Sequence, residues 1–243
     1  MKKFFTIIMT LLASLMVNTS CNDDYKPINS AIVTVVDGSW DVSYSVRFGD
    51  GKTAYVKNTG DFKFSFPTEL EGEQRAIIYY QIEEEAQVGY DYVITIVDAG
   101  TVPTSNVKKH SEVFEALESY VDKIDIEEAS FGDSKYITML ISFMANNPSL
   151  NKHKLSLIYN DSPTKEGPFQ GSYGKDDSYL WLELHHDKAT DTEVGVYSNY
   201  QCFKVSTKDL GVKNIGEYKG IKILHKSSSK IDEIGIYTIE FKK

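Results

Sequence analysis

Cysteine is almost missing from this chain. Cys21 and Cys202 are the only two among 243 residues, so no disulfide framework braces the fold. Proline is scarce too, with six residues against sixteen tyrosines and twelve phenylalanines. That balance suits pleated, half-buried β-surfaces. Positive charge is in deficit: 26 basic residues face 35 acidic ones, a net −9. Residues 1–20 hold two lysines and no acid, so the remainder stands at −11. A surface of that sign repels phosphates, which excludes a nucleic-acid partner, and it offers anionic lipid no attraction. No glycine-rich phosphate loop and no internal repeat occurs. Gly171-Ser172-Tyr173-Gly174 lacks the spacing of a hydrolase elbow, and Glu83-Glu84-Glu85 and Asp176-Asp177 lack that of a calcium loop.

What is present begins at the first residue. Met1-Lys2-Lys3 is a short basic start, and Phe4 to Val17 is an uncharged, mostly apolar run too short to cross a bilayer comfortably. Cys21 follows, then the polar Asn22-Asp23-Asp24. Residues 1–20 read as a lipoprotein signal peptide, although Asn18 stands where such signals usually carry Leu. Residues 21–30 then form an acylated cysteine and a polar tether. Several acyl chains on Cys21, at ~0.8 kcal/mol per buried methylene, anchor a protein stably. The plainer alternative is an ordinary secreted protein with an incidental Cys21. The lipidated reading makes the membrane a partner and places the chain at the outer membrane. The acids after Cys21 favour the cell surface over the periplasmic face. Cys202 is left without a partner, on an apparent strand with no basic neighbour to activate it, and is expected to be a buried, inert thiol.

Alternation dominates the rest. Trp40, Val42, Tyr44, Val46 and Phe48 share one face; Asp41, Ser43, Ser45 and Arg47 share the other. Asp50-Gly51 supplies a hairpin turn, and strands are expected at 31–36, 53–56, 62–66, 75–83 and 90–98. Ser111 as a cap, with Val113, Phe114, Leu117, Tyr120 and Val121 on one face, predicts a helix over about 111–121. Strands resume at 124–131, 135–145, 153–160, 178–186, 194–206, 221–226 and 234–242. The fold class is mainly β: an OB-like small antiparallel barrel at 31–104, a short linker helix within 105–123, and a β-sandwich at 124–243.

In this order the chain resembles the NigD-like lipoproteins. The resemblance is carried by Phe48-Gly49-Asp50-Gly51-Lys52-Thr53, by Gly89-Tyr90-Asp91-Tyr92-Val93-Ile94, and by Ile124-Asp125-Ile126 leading to Tyr136. It continues through Asp176-Asp177-Ser178-Tyr179-Leu180-Trp181-Leu182-Glu183-Leu184-His185-His186 and Phe203-Lys204-Val205-Ser206. It implies an OB-like barrel and a β-sandwich behind a lipidated N-terminus, and it carries over no catalytic residues.

Two sets of side chains could still form a site. On the barrel, Arg47, Tyr55, Tyr90 and Tyr92 face outward and could stack on a sugar, though surface tyrosines are also ordinary strand formers. On the strand at 178–187, Glu183, His185 and Asp187 alternate onto one face and could ligate a divalent metal. Ligands ~6.6 Å apart on one strand do not converge unaided, so a solvated face is expected there, with His185→Ala nearly neutral. No cofactor is implied. The expected function is a non-catalytic binding or scaffolding module for an envelope protein or glycan. Its rivals are a metal-assisted hydrolase using Glu183, His185 and Asp187, and a structural envelope component.

Overall fold

The structure, a computed structural model, describes residues 26–38, 44–117, 122–147, 153–161, 168–174, 176–228 and 234–241. The signal peptide, Cys21 and Trp40 lie outside them. No described helix is long and apolar enough to cross a membrane.

The first unit is a closed barrel of β1 (Asn29–Asp37), β2 (Tyr44–Arg47), β3 (Thr53–Val56), β4 (Glu73–Ile82) and β5 (Tyr92–Thr101), in the order β1-β2-β3-β5-β4. Antiparallel ladders join all neighbours except β3 and β5, which pair in parallel through Ala54–Tyr92 and Val56–Ile94. That closure is the OB-type arrangement. Alternate residues fill the interior: Val33, Val35, Tyr44, Val46, Ala54, Val56, Ala76, Ile78, Ile94 and Ile96. Burial pushes the Tyr44 hydroxyl up to about 12. The segment Phe62 to Phe66, expected as a strand, is irregular instead. All three phenylalanines pack on the barrel core, Phe64 edge-on to Tyr44 at 5.1 Å, so the alternation marks a plug.

The second unit is a two-sheet sandwich. One sheet runs β14 (Ile234–Glu240), β13 (Gly220–Lys226), β11 (Tyr179–Asp187), β10 (Lys154–Tyr159), β7 (Lys108–Lys109). The other runs β6 (Thr104–Asn106), β12 (Gly195–Lys204), β9 (Tyr136–Ala145), β8 (Asp125–Gly132). Between them lie Ile137, Met139, Ile141, Phe143, Leu157, Leu180, Leu182, Leu184, Phe203, Ile221 and Ile223. Cys202 is buried on β12, and burial raises its thiol pKa.

The segment at 105–123 differs from expectation. β6 pairs in parallel with β12, β7 in parallel with β10, and buried Val107 bridges the two sheets. Helix α1 (His110–Leu117) starts only after them. Strands of two and three residues carry no periodicity, which is why the pattern does not reveal them. A second short helix, α2 (Thr207–Leu210), is capped by Ser206 and ends on Gly211 at φ +67°.

Gly220 opens β13 beside the end of β14. A Cβ there would meet the Ile239 carbonyl oxygen at 2.1 Å, and backbone cannot step aside. Gly220→Ala is expected to cost about 2 kcal/mol, measured by chemical unfolding.

Candidate functional site

The barrel sits on the outer face of the four-stranded sheet through polar and charged groups. Asp133, in the β8–β9 turn with φ +51°, accepts from Arg47 Nε at 2.5 Å, Arg47 Nη2 at 2.8 Å and Thr34 Oγ1 at 2.7 Å. Glu73 accepts from Arg47 at 2.8 Å, Lys135 at 2.8 Å and the Tyr136 hydroxyl at 2.6 Å. Burial alone would raise the Glu73 carboxyl, but these three donors outweigh it and hold it down at about 2. Tyr136 is shifted the other way, upward, by burial and by its bond to that carboxylate. Arg75, fully buried, reaches Thr34 Oγ1 at 2.8 Å and lies over the Tyr136 ring at 4.9 Å. At the rim, Lys204 pairs with Glu71 at 2.5 Å.

This arrangement removes Arg47 from the proposed ligand face, because its guanidinium is engaged by two carboxylates. Tyr55 and Tyr90 stay together without it, whereas Tyr92, expected to face outward with them, packs against the barrel core. Tyr55 meets Tyr90 edge-on at 5.7 Å, and Tyr92 packs on Phe48 at 5.9 Å while its hydroxyl accepts from Lys52 at 3.1 Å. The pairing of Glu73, Asp133 and Tyr136 had no sequence signal, since their partners lie 26 to 99 positions away.

Beside this junction, an open groove of about 1110 Å³ runs between the β8–β9 turn and the end of β14. Gly49 of the barrel, Phe131, Asn214, Tyr218, Thr238 and Phe241 are among its lining residues. Its walls mix backbone, hydroxyl and aromatic surface, suited to an extended ligand with both apolar and hydrogen-bonding groups.

The second predicted set behaves otherwise. Glu183 and His185 are buried, each 2 % exposed, where a solvated face was expected. The segment 168–174 covers that face: Phe169 stands edge-on to the His185 ring at 5.3 Å, and the Tyr173 hydroxyl donates to Glu183. Gly174 lies against Trp181 so closely that a Cβ would come within 2.6 Å of its ring. Glu183 also accepts from Asn160 at 3.0 Å and from His185 Nε2 at 2.8 Å. These bonds lower its pKa despite burial, the largest opposing influence. His185 Nδ1 has no hydrogen-bond partner among the described residues. Asp187 is not part of the cluster, and caps the Ala189 amide at 2.7 Å. Among the described residues no three His, Cys, Asp or Glu side chains are placed to hold a metal ion. Glu183 with His185 is therefore a buried hydrogen-bonded pair, and His185→Ala is expected to destabilise the fold rather than leave it unchanged.

The comparisons with known proteins agree with this architecture. The model of the NigD-like C-terminal β-sandwich domain matches residues 107–241. No curated protein sequence matches the chain. Among solved structures, a protein of unknown function from Bacteroides vulgatus superposes with a TM-score of 0.66 at 20% identity, over 89% of this chain and 92% of that one. A candidate lipoprotein from Bacteroides fragilis gives 0.64 at 15% identity, over 89% and 99%. A NigD-like immunity protein from Bacteroides caccae gives 0.55 at 18% identity, over 88% and 94%. At such identities the likeness establishes a shared fold for barrel and sandwich together.

Proposed function

The chain belongs to the NigD-like family, and from that premise we propose that it is a lipid-anchored envelope module that binds or scaffolds a protein or glycan without catalysis. The observation that carries this reading is the open groove at the barrel–sandwich junction. The ionisable groups nearest to chemistry, by contrast, are bound to one another. Glu183 and His185 are covered by Phe169 and Tyr173, and Arg47, Glu73 and Asp133 hold the two units together. A binding surface needs shape and mixed polarity; a hydrolase needs an accessible base or an open metal position. The anchor would be acylated Cys21 at the outer membrane, with the chain on the cell surface. Kinship in fold to a candidate lipoprotein supports that placement. A protein ligand is also consistent with the description of the Bacteroides caccae relative as an immunity protein.

Two measurements test the reading. Cys21→Ser is expected to abolish labelling by radioactive palmitate; retained label would remove the lipid anchor. Photo-crosslinking in intact cells from Tyr218 is expected to capture one envelope protein or glycan that a probe at Lys57 does not. The hydrolase rival predicts instead near one zinc per purified chain, lost in His185→Ala.

A further inference from the structure

At the end of β9 farthest from the barrel, two histidines face each other in the interior. His153 precedes β10 and is 1 % exposed; His186 lies on β11 and is 1 % exposed. Their rings meet at His153 Nδ1 to His186 Nε2, 2.9 Å apart, and both pack on Phe143, at 4.8 Å and 4.9 Å. The outer nitrogens are also bound. His153 Nε2 lies 3.0 Å from Asp191 Oδ2, and His186 Nδ1 lies 3.2 Å from the Lys123 carbonyl oxygen.

With each of these three contacts a hydrogen bond, the protons can be counted. A carboxylate and a carbonyl only accept, so both outer nitrogens carry hydrogen. The central bond needs one hydrogen between two nitrogens. Three hydrogens on four ring nitrogens make one imidazole and one imidazolium. Asp191 is ionised to match it: the amides of Asn147 (2.9 Å) and Asn146 (3.0 Å) and His153 all donate to its Oδ2, and together they depress its pKa. We propose that His153 and His186 bind a single shared proton opposite Asp191, and that this proton clamps residues 122–124, Asn146, Asn147, His153 and residues 186–193 together as a pH-dependent latch.

The surroundings fit a single proton. Among the described residues the other charged groups are Asp122 and Lys123 before β8, Asp187 on β11 with Lys154 opposite it on β10, and Lys188 and Glu193 in the following loop. Lys188 is held by Glu193 at 2.5 Å, with Asp122 at 3.8 Å. From β9, Phe143 packs on both rings and Met144 lines the adjoining cavity, neither of them titratable. Burial, the largest influence, keeps the His186 pKa below its ordinary value, and His153 adds to that; the Lys123 carbonyl, Asp122 and Asp187 oppose it. A second proton is thus resisted. His186, Lys188 and Glu193 line a small cavity of about 90 Å³, large enough for waters that carry protons in and out.

Both limbs of the pH dependence follow. Unfolded histidines titrate near ~6.5. The proton the folded pair retains contributes stability that is full below that value and lost as pH rises through the point where the pair releases it. The proton His186 refuses contributes stability present above that value and lost as pH falls. The latch is tightest near pH ~6.5 and loosens on either side. Loosening frees the loop beside Met144, Val194 and Val196, which are already 39 %, 69 % and 71 % exposed.

Ring-nitrogen NMR of the full chain at neutral pH is expected to find three protonated nitrogens among the four. Two protonated nitrogens would overturn the proposal. Amide protection at Asn146 and Asn147, corrected for intrinsic exchange, is expected to fall about tenfold at pH ~9 and again at pH ~5. Flat protection across that range would also overturn it. Asp191→Asn should remove the imidazolium signal and flatten the profile; an unchanged spectrum in the folded variant counts against the proposal. The wild-type measurements decide the matter should that variant not fold.

Discussion

Asp133→Asn is expected to lower the free energy of unfolding by about 3 kcal/mol, the low end for breaking a buried ion pair by removing one partner. The substitution is nearly isosteric, and Asn tolerates the left-handed backbone at this turn, so the cost isolates the charge. Arg47 loses two of its three hydrogen bonds to carboxylate oxygen, and Thr34 loses a charged acceptor that also orients it toward Arg75. Glu73 still faces Arg47, which keeps the loss from being larger. Chemical unfolding at neutral pH reads the difference, and a change under about 0.5 kcal/mol, the level of an ordinary surface substitution, would show that the junction is not held by this pair. The same junction responds to acid. The Glu73 carboxyl is depressed to about 2, so its contribution is present above the ordinary carboxylate range and disappears as pH falls toward about 2. Glu73→Gln should therefore differ from wild type at pH ~6 and converge with it near pH ~2.

Glu183→Ala is expected to cost about 3 kcal/mol as well, by a different route. It leaves the Tyr173 hydroxyl and the His185 Nε2–H without their acceptor beneath the covering segment. Hydrogen exchange at residues 168–174 should accelerate in step with the stability loss, because those residues lie on the sheet through this carboxylate and through Phe169. Glu183→Gln keeps one acceptor oxygen and should recover roughly half of the loss. A variant that loses a bound zinc with the same stability loss would point to the hydrolase instead.

Much of the architecture was legible in the residue pattern. Tyr44, Val46 and the paired Val33 and Val35 alternate strictly, and they line the barrel as period two requires. The seven long sandwich strands fall within two or three residues of where alternation and turns put them. The Phe62–Phe66 alternation misled because periodicity reports which side chains go inward and not whether the backbone finds a partner. Glu183 and His185 misled for the opposite reason. Polar residues at alternate positions imply water only when nothing else covers the sheet, and the covering segment announces itself by no period of its own. Asp133, Glu73 and Tyr136 were invisible because long-range pairing of charges leaves no trace in local spacing.

The short strand β6 has a mechanical consequence. The chain leaves the barrel at Thr101 and is stitched within three residues into the sandwich, in parallel with β12. Tension applied at the N-terminal end would run along β6, so its ladder bonds are loaded side by side in shear rather than peeled one at a time. The Lys204–Glu71 and Arg47–Asp133 contacts span the same boundary and take part of that load. A body tethered by its N-terminus and pulled through its sandwich would thus transmit force as one stiff rod, with little give at the place where the two units meet.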